Sequence, residues 1–146
     1  MVEERLTERR LPSDPLTVTV EAVPANLAVL RDRLLDWLAS VDVGPETTAD
    51  VMLAVGEATA NAAEHARTGA APTVQMTVHA AIDDHGLNLV VSDNGRWKDS
   101  GRWKSATAVP GHRGHGLRLI EALVDSHEVT TTEDGTTVTM RKELAP

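Results

Sequence analysis

The chain has no cysteine, tyrosine or phenylalanine, and only three tryptophans among its 146 residues. Without cysteine there are no disulfides, thiolate zinc sites or cysteine nucleophiles. Without Phe and Tyr, the core must be built from Ala, Val, Leu and a few Met. No apolar run approaches the roughly 18 residues of a membrane span, and Met1-Val2-Glu3-Glu4-Arg5 is not the start of a signal peptide, so a soluble cytoplasmic protein without membrane association is expected. Basic charge is also scarce. Fourteen Lys and Arg stand against 22 Asp and Glu, a net charge of −8, which argues against a direct nucleic-acid partner. What is present, 41% hydrophobic residues in a one-domain length, excludes general disorder and is enough to bury a core.

The charge is unevenly spread. Gly95 to Arg118 carries Arg96, Lys98, Arg102, Lys104, Arg113 and Arg118 against Asp99 alone, a local charge of +5 that leaves −13 on the remainder. A basic, glycine-rich segment set in an acidic domain suits an anionic ligand, phosphate above all; a solvated loop is the plainer alternative. Within it Gly95-Arg96-Trp97-Lys98 returns as Gly101-Arg102-Trp103-Lys104, either a small duplication or a pair of anchors that fold the loop onto a ligand or partner.

Hydrophobic periodicity orders the rest. Residues 1–15, punctuated by Pro12 and Pro15, read as a loose arm or linker, with the domain proper over 16–146. Leu16 to Val23 alternates as a strand. Pro24-Ala25-Asn26 opens a helix with Leu27, Leu30, Leu34, Trp37 or Leu38, and Val41 at helical spacing, and Gly44-Pro45 ends it. A second helix is predicted from about Glu46 to Arg67. Strands follow at 73–80 and 87–92 around the turn Asp83-Asp84-His85-Gly86, then the basic loop. A third helix is predicted at 116–124. Two last strands, about 128–132 and 136–142, flank Glu133-Asp134-Gly135, where Asp-Gly signals a hairpin. This order predicts an α/β two-layer sandwich: a mixed, mostly antiparallel sheet covered on one face by about three helices.

Three stretches carry chemistry. The second helix is nearly all Ala, Val, Met and Gly, yet Glu57, Asn61 and His65 recur at i, i+4 and i+8 beside Glu64. A buried carboxylate and amide need a ligand, a metal or an internal network; Glu and Asn supply oxygen ligands suited to Mg²⁺, and a desolvated Glu can act as a general base. A solvent-facing stripe is the plain alternative. Asp93-Asn94-Gly95 ends a hydrophobic strand, where a carboxylate can read an exocyclic amine and glycine permits close approach. Any β-turn looks the same. Gly111-His112-Arg113-Gly114-His115-Gly116-Leu117 precedes a helix, so its free amides, the helix dipole and Arg113 with Arg118 can meet an anion. It lacks the Gly-Lys-Ser/Thr of a P-loop. His112 and His115 could pair on a metal, but exposed loop histidines are the simpler reading.

Together these stretches resemble the ATP-binding (Bergerat-type) domain of gyrase, Hsp90, histidine kinases and MutL, and within that superfamily the anti-sigma-factor serine kinases. The resemblance spans about residues 16–144: Glu57-x3-Asn61-x3-His65, then Asp93-Asn94-Gly95, then Arg113-Gly114-His115-Gly116-Leu117, and finally Gly135-Thr136-Thr137-Val138. It implies that Glu57 is the catalytic base and Asn61 the Mg²⁺ ligand. It implies that Asp93 accepts from the adenine amino group, that Gly95 lets the base approach, and that Thr137 supports adenine from the adjacent strand. Residues 96–113 would be the ATP lid, with Gly114, Gly116 and the following amides on the phosphates and His65, Arg113, His115 and Leu117 near the site. Trp97 departs from the pattern, standing where the family's second glycine falls. The absence of Phe, and of a helical hairpin bearing a phosphoacceptor His, disfavours the histidine kinases themselves.

The implied function is an ATP- and Mg²⁺-dependent serine/threonine kinase that phosphorylates an anti-sigma-factor antagonist, binds a sigma factor and forms a homodimer. The alternative is a catalytically silent partner-switch module. The Gly-Arg-Trp and Asp-Gly-Thr-Thr-Val wording also resembles kinase-like domains fused behind regulatory phosphatases.

Overall fold

The computed structural model describes residues 14–66, 74–95 and 112–144, apart from the side chains of 65, 66 and 112–117. The arm before Asp14 and the basic loop with Trp97 and Trp103 therefore lie outside the described residues.

Strand β1 is Leu16–Glu21. A 3-10 turn, Pro24–Asn26, leads into helix α1, Leu27–Ser40. Helix α2 is Pro45–Ala66, strand β2 is Gln75–Ile82, and strand β3 is Gly86–Asp93. Helix α3 is His112–Leu123, followed by the hairpin of β4, Ser126–Thr132, and β5, Gly135–Glu143.

The five strands form one sheet in the order β1-β2-β3-β5-β4. All four pairings are antiparallel, so the parallel component of the mixed sheet predicted from sequence is absent among the described strands. Alternation decides what each strand buries. Val18, Met76, Val78, Ala80, Leu87, Leu89, Val91, Val138 and Met140 face the helical layer and are buried. Their neighbours form an open face rich in threonine, where Thr19 and Thr77 are hydrogen-bonded at 2.9 Å and Thr17 meets His79 Nδ1 at 2.9 Å.

Three helices cover the other face. α2 lies in the middle, packed against α1 on one flank and α3 on the other and resting on β3 and β5. Its buried residues include Val51, Ala54, Val55, Ala58, Ala62 and Ala63. Alanines let a helix backbone approach a sheet closely, which is how α2 packs on a sheet without Phe or Tyr to fill the space between. Trp37 of α1 is 8% exposed, and its Nε1 donates to the Asp14 carbonyl oxygen at 2.9 Å. Pro45 opens α2, where its missing N–H costs nothing.

Several strand ends shift by one or two residues, and two boundaries near the site differ from expectation in ways that matter. Helix α3 begins at His112, four residues before the predicted Gly116, so Arg113, Gly114, His115, Gly116 and Leu117 have helical backbone and are not a loop preceding the helix. Glycine's low helix propensity hid this. The last hairpin turns on Glu133 and Asp134, while Gly135 is already in β5, opposite Thr132. Gly135 has φ +141°, and a Cβ there would collide with the Asp93 carbonyl oxygen. Glycine is thus required less by the turn than by the close approach of β5 to the end of β3.

Candidate functional site

The register places Asp93 opposite Thr136, and both side chains point toward the helices. Above them α2 presents Asn61. A small recess is lined by Ala58, Asn61 and Ala62 of α2, Val91 and Asp93 of β3, and Thr136 and Val138 of β5. Its volume is about 10 Å³, roughly room for one water. It can seat the polar tip of a ligand, such as an exocyclic amino group, but not a ring. Asn61, Asp93 and Thr136 are 8%, 8% and 3% exposed, three buried polar side chains brought together from three elements.

Local structure holds each in place. Asp93 Oδ1 accepts from the buried Gly95 amide at 3.0 Å. Asn94 between them is clamped to β2: Gln75 N donates to Asn94 Oδ1 at 2.9 Å, and Asn94 N donates to the Gln75 carbonyl at 3.2 Å. Asn61 Nδ2 donates to the Glu57 carbonyl oxygen, one helical turn back, at 3.0 Å. That bond commits the amide's donor end to its own helix, and Oδ1 is then the end suited to a donor or a hard cation. Glu57 is half-buried on the same flank of α2 and does not line the recess.

The predicted residues are thus partly gathered. Asn61 and Asp93 meet in the recess, with Gly95 bonded to Asp93 at its edge. Glu57 stands a turn away on α2. The side chains of His65, Arg113, His115 and Leu117 lie outside the described residues; His65 belongs to the last turn of α2 and the Arg113–Leu117 segment to the first turns of α3. Thr137 is not brought in. It pairs with Ser92 and Thr130 on the open face of the sheet, while its neighbour Thr136 lines the recess. Counting back by twos from the apolar pair Val138 and Met140 would have picked out Thr136. Among the described residues no three or more His, Asp or Glu side chains form a ready-made metal cage. Nor is any described helix long and apolar enough to cross a membrane.

Residues 20–142 match the histidine kinase-like ATPase domain family, and the chain belongs to it. The chain is similar to the crystal structure of the RsbU and RsbW domains of Rv1364c from Mycobacterium tuberculosis. That likeness has 28% identity and a TM-score of 0.71, covering 92% of this chain and 34% of that one. It also shares a fold with the histidine kinase domain of the blue-light activated histidine kinase EL346 from Erythrobacter litoralis. There the identity is 20% and the TM-score 0.57, over 81% of this chain and 61% of that one. The chain thus spans about a third of the first structure's length. The family expectation drawn from the motif order is met: the protein is a histidine kinase-like ATPase domain, similar to a structure that contains RsbU and RsbW domains.

Proposed function

We propose that this domain binds ATP with Mg²⁺ and acts as a serine/threonine protein kinase of the anti-sigma-factor type. The observation that carries the reading is the buried trio Asn61, Asp93 and Thr136, in a chain of the histidine kinase-like ATPase family. A recess one water wide beside a carboxylate fixed in place suits an exocyclic amino group. Asp93, held by the Gly95 amide, accepts from the adenine amine, and Thr136 supplies a hydroxyl beside it.

The donor set fits Mg²⁺. Asn61 offers a carbonyl oxygen, and this cation is commonly held by one or two protein oxygens plus substrate phosphates and waters. When bound, it neutralises charge on the phosphates. The amides at the start of α3, including those of Arg113 and Gly114, have no partner within the helix and suit an anion. Glu57, half-buried one turn from Asn61, is the carboxylate that takes the proton of an acceptor hydroxyl. The acceptor is a serine or threonine of an anti-sigma-factor antagonist, and the sequestered partner is a sigma factor. A homodimer working in the cytoplasm is part of the same reading.

The test is Glu57→Gln with an antagonist-type substrate. The variant should lose phosphotransfer while binding ATP as the wild type does. A second reading is a silent nucleotide-dependent partner-switch module, the kinase-like part of a multidomain phosphatase regulator; the likeness to one part of a two-domain structure favours that multidomain setting. It stands instead if the wild type shows no phosphotransfer and its partner binding still depends on ATP.

A further inference from the structure

Helix α2 has a second flank, away from the polar recess. There α1 and α2 enclose a groove with a cavity of about 140 Å³. Leu27, Leu30 and Leu34 of α1 form one wall; Met52, Val55 and Gly56 of α2 form the other. The polar groups Arg31 and Thr59 complete a lining that is otherwise apolar. On the neighbouring turn of α2, Leu53 is 54% exposed, the most exposed large apolar side chain of the described structure.

Gly56 marks this groove as a place meant to be filled. A glycine in the middle of a 22-residue helix weakens that helix relative to alanine. A Cβ placed on Gly56 meets nothing within 4 Å, so packing within the described structure does not demand glycine. What a methyl group would remove is room in the groove.

An occupant is at hand. The described chain begins at Asp14, whose carbonyl oxygen is held by Trp37 Nε1 at 2.9 Å, and Trp37 stands one turn beyond Leu34. The thirteen preceding residues therefore join the described chain at Asp14, beside Trp37 of α1, the helix that forms one wall of the groove. The groove's α1 wall runs from Leu34 back to Leu27, which is about 15 Å along the helix from Trp37. Leu6 is eight residues before Asp14 and can reach roughly 26 Å when extended, enough for any point of the groove. Leu11, three residues away, can reach only about 10 Å, short of the far wall. Size agrees too: an apolar cavity of about 150 Å³ admits a benzene-sized group, and an isobutyl side chain is smaller.

We propose that the groove between α1 and α2 is the docking site of the chain's own amino-terminal segment, with the Leu6 side chain seated over Gly56. The surface is separate from the nucleotide recess and does not depend on the reading of that site.

Four full-length proteins test it: wild type, Gly56→Ala, Leu6→Ser and the double variant. With Leu6 seated, the added methyl competes with it, so Gly56→Ala leaves the melting temperature unchanged or lower. In the Leu6→Ser background the same methyl only strengthens the helix, and the melting temperature rises by about 2–4 °C. An equal change in both backgrounds would show that the two positions are uncoupled and would overturn the proposal.

A second measurement reads proximity directly. The chain has no cysteine, so a nitroxide on Thr7→Cys is the only label. It should broaden the Met52 methyl resonance, and the broadening should survive dilution. No broadening means the groove is not occupied by this segment. Broadening seen only between chains, in mixtures of spin-labelled and isotope-labelled protein, means that a second copy fills it. Either result sinks the assignment.

Discussion

Strand β3 is bracketed by two aspartates, Asp83 just before it and Asp93 at its end, and the fold treats them in opposite ways. Asp83 is exposed and its carboxylate is served by its own neighbourhood. The amides of His85 and Gly86 donate to Oδ1 at 2.8 and 3.0 Å, Asn88 Nδ2 donates to Oδ2 at 2.9 Å, and Arg141 donates through both terminal nitrogens at 3.2 Å. These bonds close the β2–β3 turn and tie it to β5. Asp93 is 8% exposed, is held by the amide of Gly95, and borders a recess shared with Asn61 and Thr136. The same residue type does structural work where water and local donors surround it. Where three elements converge on a recess one water wide, it is the group proposed above to recognise a ligand. Both ends also depend on a glycine pressed against a neighbouring strand. A Cβ on Gly86 would collide with the Lys142 carbonyl oxygen, and one on Gly135 with that of Asp93.

The largest expected effect follows from those glycines. Gly135→Ala adds a backbone collision to a left-handed φ and should destabilise the protein by about 3 kcal/mol or more. Gly86→Ala meets a collision without the unfavourable φ and should cost less. Urea unfolding of the two variants ranks them. If Gly135→Ala proved as stable as wild type, β5 would not be what seats Asp93.

Next comes Asp93→Asn. A hydrogen bond to a charged acceptor is worth about 1.5–3 kcal/mol, so the variant should keep its fold and lose roughly 10- to 150-fold in ATP affinity. Calorimetry measures this directly. A parallel melting curve should show the wild type gaining about 2.7 kcal/mol at ATP 100 times its dissociation constant, with no comparable gain for the variant at the same ATP concentration. Unchanged affinity would remove Asp93 from the recognition role and leave both aspartates structural.

A smaller effect separates two adjacent threonines. Thr136→Val removes a hydroxyl from the recess and should weaken ATP binding by about 1 kcal/mol, roughly fivefold. Thr137→Val alters the open face and should leave binding unchanged. If the order were reversed, the inward face of β5 at the site would be misassigned.

That pair also shows where the sequence could be read and where it could not. The strands were legible because apolar residues alternate along β2, β3 and β5, and α1 and α2 because theirs recur every three or four. Pro45 and the glycine before it marked the boundary between those helices. Asn61 and Asp93 stood out as polar residues in otherwise apolar elements, and the structure brings them to one recess. Thr136 was missed because two threonines in a row satisfy the same motif, and only the β3–β5 register says which faces inward. The start of α3 was missed because three glycines between 111 and 116 argue locally against helix, a preference that the fold overrides. The antiparallel character of every pairing was out of reach for a different reason. It depends on which strands become neighbours, and β5 enters the sheet between β3 and β4.

The smallest effect belongs to Asp83, and pH separates it from Asp93. The Arg141 guanidinium, the His85 and Gly86 amides and the Asn88 side chain all favour the ionised carboxylate, and together they hold its pKa far below the usual carboxylate range. Its unfolded-state value is the ordinary one, near 4. A carboxylate whose pKa is depressed by folding contributes stability that is fully present well above pH 4 and is lost as pH falls toward the folded-state value. The contribution is modest, because Asp83 and Arg141 are 47% and 29% exposed and water screens the pair. Asp83→Asn should therefore lower the unfolding midpoint slightly at pH 7 and progressively less as the pH is reduced below 4, while ATP affinity at neutral pH stays as in the wild type. Urea titrations at pH 7, 5 and 3 would show the two stability curves converging at the acid end. If they stayed parallel, the ionised carboxylate would not be what closes the turn. If ATP affinity fell as well, the two ends of β3 would not be independent.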